Sequence, residues 1–488
     1  MKTENRRQRT EDRKQNTALV SSVLFILCVF LLIQSGCMVG PNYQAPKQSV
    51  PAKWTGAVGP LAGEKADTVL IQWWNDFNDP NLTSLVERAV ASNLDLRQAE
   101  ERIRQARASR RVITAGFWPT ADATATLTRS RTPPSITGPA TMTNLFQSGL
   151  DAAWELDIFG GTRRNIESAD ADIQAAVEDR RDVLVTLVSE VALNYVQLRG
   201  FQQEILIAEK NLKAQQNSAE VVRKRYEGGF VSALDLANAD AQVATTLSQI
   251  PTLQASARQT INNIALLLGQ QPQSLPDELS SVSSIPPAPP EIPAGLPSEI
   301  LRRRPDIRRA EARAHSATAQ IGVATADLFP KFNLTGSLSF RGTNANVFFW
   351  DKRSWSFGPS ADWQIFNAGS VSANIEVQKA LTQQALIEYE KTVLTALNEV
   401  ENALITYSNE QQRNKALLEA VTQNRKAVEI STKLYSEGQT DFLSVLDAQR
   451  SLYSSQDALV QSNRNLSTDL ISLYKALGGG WDFNDVGQ

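Results

Sequence analysis

Residues 296–330, LPSEILRRRPDIRRAEARAHSATAQIGVATADLFP, decide how this chain is read. They emerge from a proline-rich seam at 285–297, whose centre is IPPAPPEIP, and a diverged copy of them lies upstream. Leu85, Asp95, Arg97, Ala99, Glu100 and Pro119 return 211 positions later as Leu296, Asp306, Arg308, Ala310, Glu311 and Pro330. Further on the shift is 209: Trp154 returns as Trp363, Glu190-Val191 as Glu399-Val400, Tyr226 and Gly229 as Tyr435 and Gly438, and Leu268-Gly269 as Leu477-Gly478. The chain is one unit written twice, at 81–284 and 298–480, with a short tail at 481–488. Copies of about 200 residues are too long for solenoid repeats, so two similar halves are expected to build one elongated object.

Composition argues against catalysis. The 488 residues hold one histidine, His315, and two cysteines, Cys28 and Cys37, too few for a zinc site or a cysteine–histidine nucleophile pair. The first 16 residues carry six bases and three acids, the uncharged run 17–33 follows, and then Gln34-Ser35-Gly36-Cys37. That order describes an export signal over 1–36. The small residues before Cys37 resemble a bacterial lipobox, with Gln34 standing where an aliphatic residue is usual. Cleavage there leaves 43 basic and 49 acidic residues, a balance that offers nothing to nucleic acid. From 37 to 80 the chain is rich in Pro, Gly and Trp and reads as an ordered arm.

Two periods alternate after the arm. Helical spacing covers 94–116, with Asn93 as N-cap. Strand-like alternation then covers about 119–131 and 144–158, and in the second half about 331–341 and 354–366. Leu150, Ala152, Trp154, Leu156 and Ile158 take one face, while Asp151, Ala153, Glu155 and Asp157 take the other. Four such strands with aromatics (Phe117, Trp118, Phe329, Trp355, Trp363) at their ends fit a transmembrane β-barrel, although a soluble sheet packed on helices shows the same alternation. The polar set Asp122, Asp151, Glu155, Asp157 and Asp362, with Arg129 and Arg341, is assigned to a water-filled lumen.

Helices of unusual length follow each strand pair, at about 162–227 and 370–436, each succeeded by a shorter one at 232–268 and 441–477. The seam Leu184, Val188, Val191, Tyr195, Leu198, Gln202, Ile205, Glu209, Leu212 has coiled-coil spacing but is flanked by Ala, Asn, Gln and Ser, which suits shallow packing on more than one neighbour. One long helix beside two short ones stacked end to end makes matched staves. Four strands cannot close, and an open edge cannot face lipid. Three chains, giving twelve strands, form the smaller closed solution that leaves a lumen.

Cys37-Met38-Val39-Gly40-Pro41-Asn42-Tyr43, Arg303-Arg304-Pro305-Asp306-Ile307-Arg308, Ala310-Glu311, Ile321-Gly322, Phe329-Pro330, Leu446-Asp447-Ala448-Gln449-Arg450 and the run from Leu473 to Trp481 together resemble the TolC-like outer-membrane efflux proteins. The nearest likeness is to the NodT-type lipoprotein branch that serves resistance-nodulation-division pumps. The resemblance implies an α+β membrane protein: a homotrimer whose twelve-stranded outer-membrane β-barrel continues into a twelve-helix periplasmic α-barrel. It also implies a periplasmic adaptor and an inner-membrane resistance-nodulation-division transporter as partners, and no cofactor or enzymatic activity. The turns around Tyr226, Gly229, Tyr435 and Gly438 would form the periplasmic tip and gate, with Asp441 as its acid, although Asp441 also matches Ser232 as a helix cap. An exit duct for secreted proteins would share this fold. A periplasmic coiled-coil adaptor would share the long helices but needs no set of four strands.

The Ser35-Gly36-Cys37 sequence generates the first prediction. Radiolabelled palmitate should enter the wild-type protein, and Cys37→Ser should abolish the label while leaving channel formation intact, because one acyl chain is a weak tether beside a barrel.

Overall fold

The computed structural model describes residues 38–55, 70–134, 139–287, 297–343 and 353–482. The export signal, Cys37 and the centre of the proline seam lie outside these residues. In chain order, a short 3-10 helix Trp73–Phe77 precedes α1 Pro80–Ser92, α2 Leu94–Ala115, β1 Thr120–Thr132, β2 Thr141–Leu156, α3 Gly161–Glu227, α4 Ala233–Leu267 and α5 Pro276–Leu279. The second half runs α6 Pro297–Arg303, α7 Pro305–Ala326, β3 Lys331–Gly342, β4 Arg353–Asp362, α8 Ser370–Ser436 and α9 Phe442–Ala476. Each half has helices of 22, 67 and 35 residues in the same order. At 1.5 Å per residue the long ones extend about 100 Å.

The compact units cut across the halves. One holds residues up to Pro46, Arg104–Gln174 and Glu311–Glu388; the other holds Lys47–Ile103, Ala175–Ala310 and Tyr389 onward.

In the first unit the strands form one antiparallel sheet in the order β1-β2-β3-β4. Its helices take the matching lateral order. Asp170 of α3 receives Arg110 of α2, Ser168 and Glu167 of α3 meet Ser316 and His315 of α7, and Thr382 of α8 donates to the Ala317 carbonyl of α7. The amino-terminal segment is strapped here by Arg164, whose side chain is 2% exposed and donates to the carbonyls of Val39 and Gly40 and to Asn42 Oδ1. A methyl group on Gly40 would stand 2.5 Å from the Cα of Gly322, and one on Gly322 would stand 2.7 Å from Cγ of the buried Arg164, so both positions favour glycine. These contacts give physical sense to the motifs at 39–43 and 321–322. Glu167 carries Arg164 and His315, and His315 stacks on Tyr43. Burial opposes ionisation of Glu167, but its hydrogen bonds with Arg164 and His315 hold it below the usual carboxylate range.

The second unit holds the apolar core. Val188, Val191, Tyr195 and Leu198 of α3 pack with Ile261 and Ile264 of α4, Val393 and Val400 of α8, and Leu470 and Tyr474 of α9. Trp73 is fully buried and stacks on Tyr474 at 4.9 Å. The expected seam of α3 persists to Ile205, which packs partly buried against the core; Glu209 is exposed, and burial shifts to Glu204, Ala208 and Gln215. A second buried row, Val185, Ser189, Ala192 and Val196, shows α3 packed on two sides.

The short helices meet end to end in this unit. Asn93 Oδ1 caps Leu96 N at 3.0 Å, while its Nδ2 donates to the Leu267 carbonyl at 2.8 Å. At the equivalent joint of the second half, Arg304 Nη1 donates to the Ala476 carbonyl at 2.8 Å and meets Glu399 at 2.7 Å, while its Nε and Nη2 grip Asp306. The arginine-rich stretch is thus a helix joint. Arg304 is 9% exposed, so its loss deprives the largely buried Asp306 and a helix-end carbonyl of their partner. Arg304→Ala should lower stability by about 2–3 kcal/mol. Arg304→Lys should recover only part of this, since an ammonium lacks the fork that holds Asp306; thermal unfolding in detergent reads both.

Candidate functional site

The sheet register fixes which side chains share a face, because residues paired across strands point the same way. One row runs Leu150, Leu338, Trp355; a second runs Ala152, Gly336, Phe357; a third runs Trp154, Leu334, Pro359. Ala121 and Ala123 of β1 extend the second and first rows. All four strands therefore put their apolar residues on one face, which is open to solvent: Trp355 is 72% and Phe357 69% exposed.

The opposite face is polar. Asp122, Asp151, Ser337 and Ser356 form one row, and Glu155, Asn333 and Ser360 another. Ser337 and Ser356 share a 2.8 Å hydrogen bond, and Arg341 donates to Gln147. Lys331 pairs across from Asp362, a base that alternation alone did not bring forward.

Two residues assigned to the lumen are placed elsewhere. Arg129 has the parity of Ala121, Ala123 and Leu127, so it lies on the apolar side, where it reaches Met142 near the hairpin end of the strands. There the strand passes from apolar to polar composition without changing its alternation. Asp157 lies past the end of β2, and its carboxylate accepts from the backbone N–H groups of Thr162 and Arg163 and pairs with the Arg163 side chain. It satisfies orphan donors of the first turn of α3. β4 likewise stops at Asp362, so Trp363 and Ile365 are not part of it. Trp363 donates its indole N–H to the Leu328 carbonyl, as Trp154 does to the Phe117 carbonyl; the two acceptors are again 211 positions apart. The polar face that remains has four acids (Asp122, Asp151, Glu155, Asp362) against two bases (Lys331, Arg341).

The helix turns form the other candidate region. Gly229 and Gly438 have φ of 75° and 73°, and each closes its long helix with the same pair of bonds. Phe230 N reaches Arg225 O and Gly229 N reaches Tyr226 O; Gln439 N reaches Leu434 O and Gly438 N reaches Tyr435 O. This left-handed helix stop favours glycine in both places. The tyrosines before the turns differ. Tyr435 is buried against Phe442, Val445 and Leu446 with Arg225 stacked on its ring at 4.5 Å, whereas Tyr226 is 43% exposed. Arg225 also donates to the Tyr435 and Ser436 carbonyls, latching the end of α8 to the end of α3. Asp441 caps α9 through Ser444 N at 3.0 Å, and the bonds from Ser444 hold its carboxyl below the usual range. Sequence reading had found both glycines and the cap but not Arg225, which no repeat position signals.

A sheet with one apolar and one polar face, whose strands lead into helices of about 100 Å, is the architecture of an outer-membrane channel subunit. The outer membrane efflux protein family matches twice, over 85–270 and 296–479, and the chain belongs to that family. It is 33% identical to nodulation protein T of Rhizobium leguminosarum bv. trifolii, covering 93% of this chain and 96% of that protein. It is 34% identical to the antibiotic efflux pump outer membrane protein ArpC of Pseudomonas putida (95% and 97%), and 32% identical to the cation efflux system protein CusC of Escherichia coli O6:H1 (94% and 98%). Among solved structures, the outer-membrane channel OprN superposes with a TM-score of 0.85 at 39% identity, covering 91% of this chain and all of that one. A structure of CusC gives 0.80 at 30%, with the same coverage. The chain is an outer-membrane efflux channel subunit.

The net negative polar face carries a prediction. Carboxylates lining a pore favour cations, within the reach of about 8 Å that physiological salt allows. Reversal potentials across a salt gradient should report mild cation selectivity that weakens as salt rises. Changing Asp151→Asn and Glu155→Gln together should reduce it, because these residues supply half of the acids.

Proposed function

We propose that three copies of this chain close into a passive exit duct through which small molecules leave the cell. The observation that carries this reading is where the open flanks fall. Both ends of the sheet, β1 and β4, lack a neighbouring strand among the described residues. β1 continues α2, and β4 leads into α8, the two helices at the ends of the lateral order in the first unit. The second unit repeats that order: α2 and α4 meet α3 through Arg102–Asp179 and Arg223–Asp240, α7 and α9 meet α3 through Arg309–Asp179 and Arg464–Glu204, and α8 meets α9 through Asn414–Ser462. One copy thus offers the β4 and α8 flank to the β1 and α2 flank of the next. Such head-to-tail joints close when the rotation completes a ring. Two copies would make eight strands around a filled interior; three make twelve strands and twelve staves around a lumen.

In this reading the apolar face meets outer-membrane lipid and the polar face meets water. The tips at Gly229 and Gly438 reach through the periplasm to an adaptor protein and, with Tyr226, Tyr435 and Asp441, gate the duct. An inner-membrane transporter of the resistance-nodulation-division class supplies the substrates, and an acyl chain on Cys37 tethers the protein. Native mass spectrometry of the detergent-purified protein should give a mass of three chains, and the same preparation should conduct ions in planar bilayers. A monomer or dimer mass, or a trimer that does not conduct, removes this reading.

A further inference from the structure

Resting on the trimeric reading, we infer that neighbouring copies recognise each other through an arginine ladder on α2 and an acidic ladder on α8, set beside an antiparallel helix seam. The seam is visible on α8. Ala373, Val377, Ala380, Gln384, Ile387, Lys391, Leu394 and Asn398 alternate in steps of four and three, the spacing of a coiled-coil contact row, and every one is exposed. Val377, Ile387 and Leu394 are 52%, 62% and 60% exposed, on the side away from Thr382, which bonds to α7. On α2 the corresponding row is Leu94, Glu101, Ala108 and Ala115, exposed except for the half-buried Ala108, opposite the buried Leu96 and Ala99.

Beside each row runs a line of charge. On α2 it is Arg97, Arg104 and Arg111; on α8 it is Glu376, Gln383 and Glu390. In both helices the charged line stands three residues after its seam row, as Leu94 to Arg97 and Ala373 to Glu376. An antiparallel pair brings like flanks of two seams together, so the two lines fall on the same side of the joint. Heights match as well. Arg111 lies four residues before the sheet-side end of α2, and Glu376 lies six residues after the sheet-side start of α8. For Arg97 and Glu390 the separations are 18 and 20 residues. Each pair therefore differs in height by about 3 Å, which a long side chain spans. Arg111 and Glu376 belong to the first unit, Arg97 and Glu390 to the second, so each unit carries one complementary pair on its open flanks. All four are exposed, and none makes an ion pair or side-chain hydrogen bond among the described residues. The occupant that fits both flanks is a second copy of this chain.

Charge reversal tests the assignment. Arg97→Glu with Arg111→Glu places like charges across the joint, as does Glu376→Arg with Glu390→Arg. Each double variant should speed dissociation of the detergent-solubilised trimer about tenfold or more. Combining all four substitutions should bring it back to within about threefold of wild type, because the ladder is then inverted but complementary. Double variants that dissociate like wild type, or a combination worse than either parent, would overturn the ladder while leaving the trimer standing. A wild type that is not trimeric overturns the trimeric reading, and the ladder with it. Because a reversal could disturb assembly for other reasons, Arg111→Cys with Glu376→Cys provides a second measurement. A short bismaleimide should join neighbouring chains into covalent dimers and trimers, which neither single-cysteine parent yields. Absence of those bands from an intact trimer also refutes the ladder.

Discussion

Backbone groups at the two edges of the sheet dominate the physics of this protein. Each residue at an open edge presents an N–H or C=O that water can satisfy and hydrocarbon cannot. β1 and β4 have such edges, and the face between them exposes Leu150, Trp355 and Phe357. A single chain is therefore an unfinished object in either solvent: too apolar on one face for water and too polar at its edges for lipid. Pairing those edges with further strands would satisfy the backbone and leave a surface that suits lipid. The helices inherit the same two open flanks because each flank strand is continuous with a flank helix.

Duplication accounts for the economy of the fold and also for where it departs from symmetry. Trp154 and Trp363 anchor their strand ends by the same bond, and Gly229 and Gly438 stop their helices by the same pair of bonds. The tips nevertheless differ because Arg225 has a leucine, Leu434, as its counterpart. A guanidinium can bond two carbonyls and stack on a ring, and a leucine can do neither, so only one tip supplies the latch. The half that supplies it leaves Tyr226 in solvent; the half that accepts it buries Tyr435.

Much of this was legible in the sequence because period and parity are local properties. Alternation placed the apolar set of all four strands on one face, and repeat spacing aligned the long helices. The errors arose where a local pattern outlasts the element that produced it. Asp157 continues the alternation of β2 but is needed to cap the next helix, and Arg129 keeps the parity of an apolar row at the end where the strand turns polar. Long-range partners had no local signal. Nothing near Asn93 announces Leu267, and nothing in the arginine-rich stretch announces Ala476. The segment at 39–43 read as part of an ordered arm, but its partner had no signal, and only the structure shows Arg164 holding it against a glycine of α7.

Such polar partners matter because the helix faces are slippery. A row rich in alanine, glutamine and serine buries little per turn and gives similar contact after a shift of one repeat, so apolar packing alone leaves axial register weakly set. Directional bonds remove that freedom. Asp179 of α3 receives Arg102 from one neighbour and Arg309 from the other, fixing three helices at one height within the second unit. Glu178, one residue earlier, is buried between Arg181 and Arg308; burial still pushes its carboxyl above the usual range, so the pairing there costs desolvation and is better understood as specifying position than as adding stability. A duct assembled from long staves has to match its joints at every level, and charged side chains at fixed heights do this where alanine rows cannot.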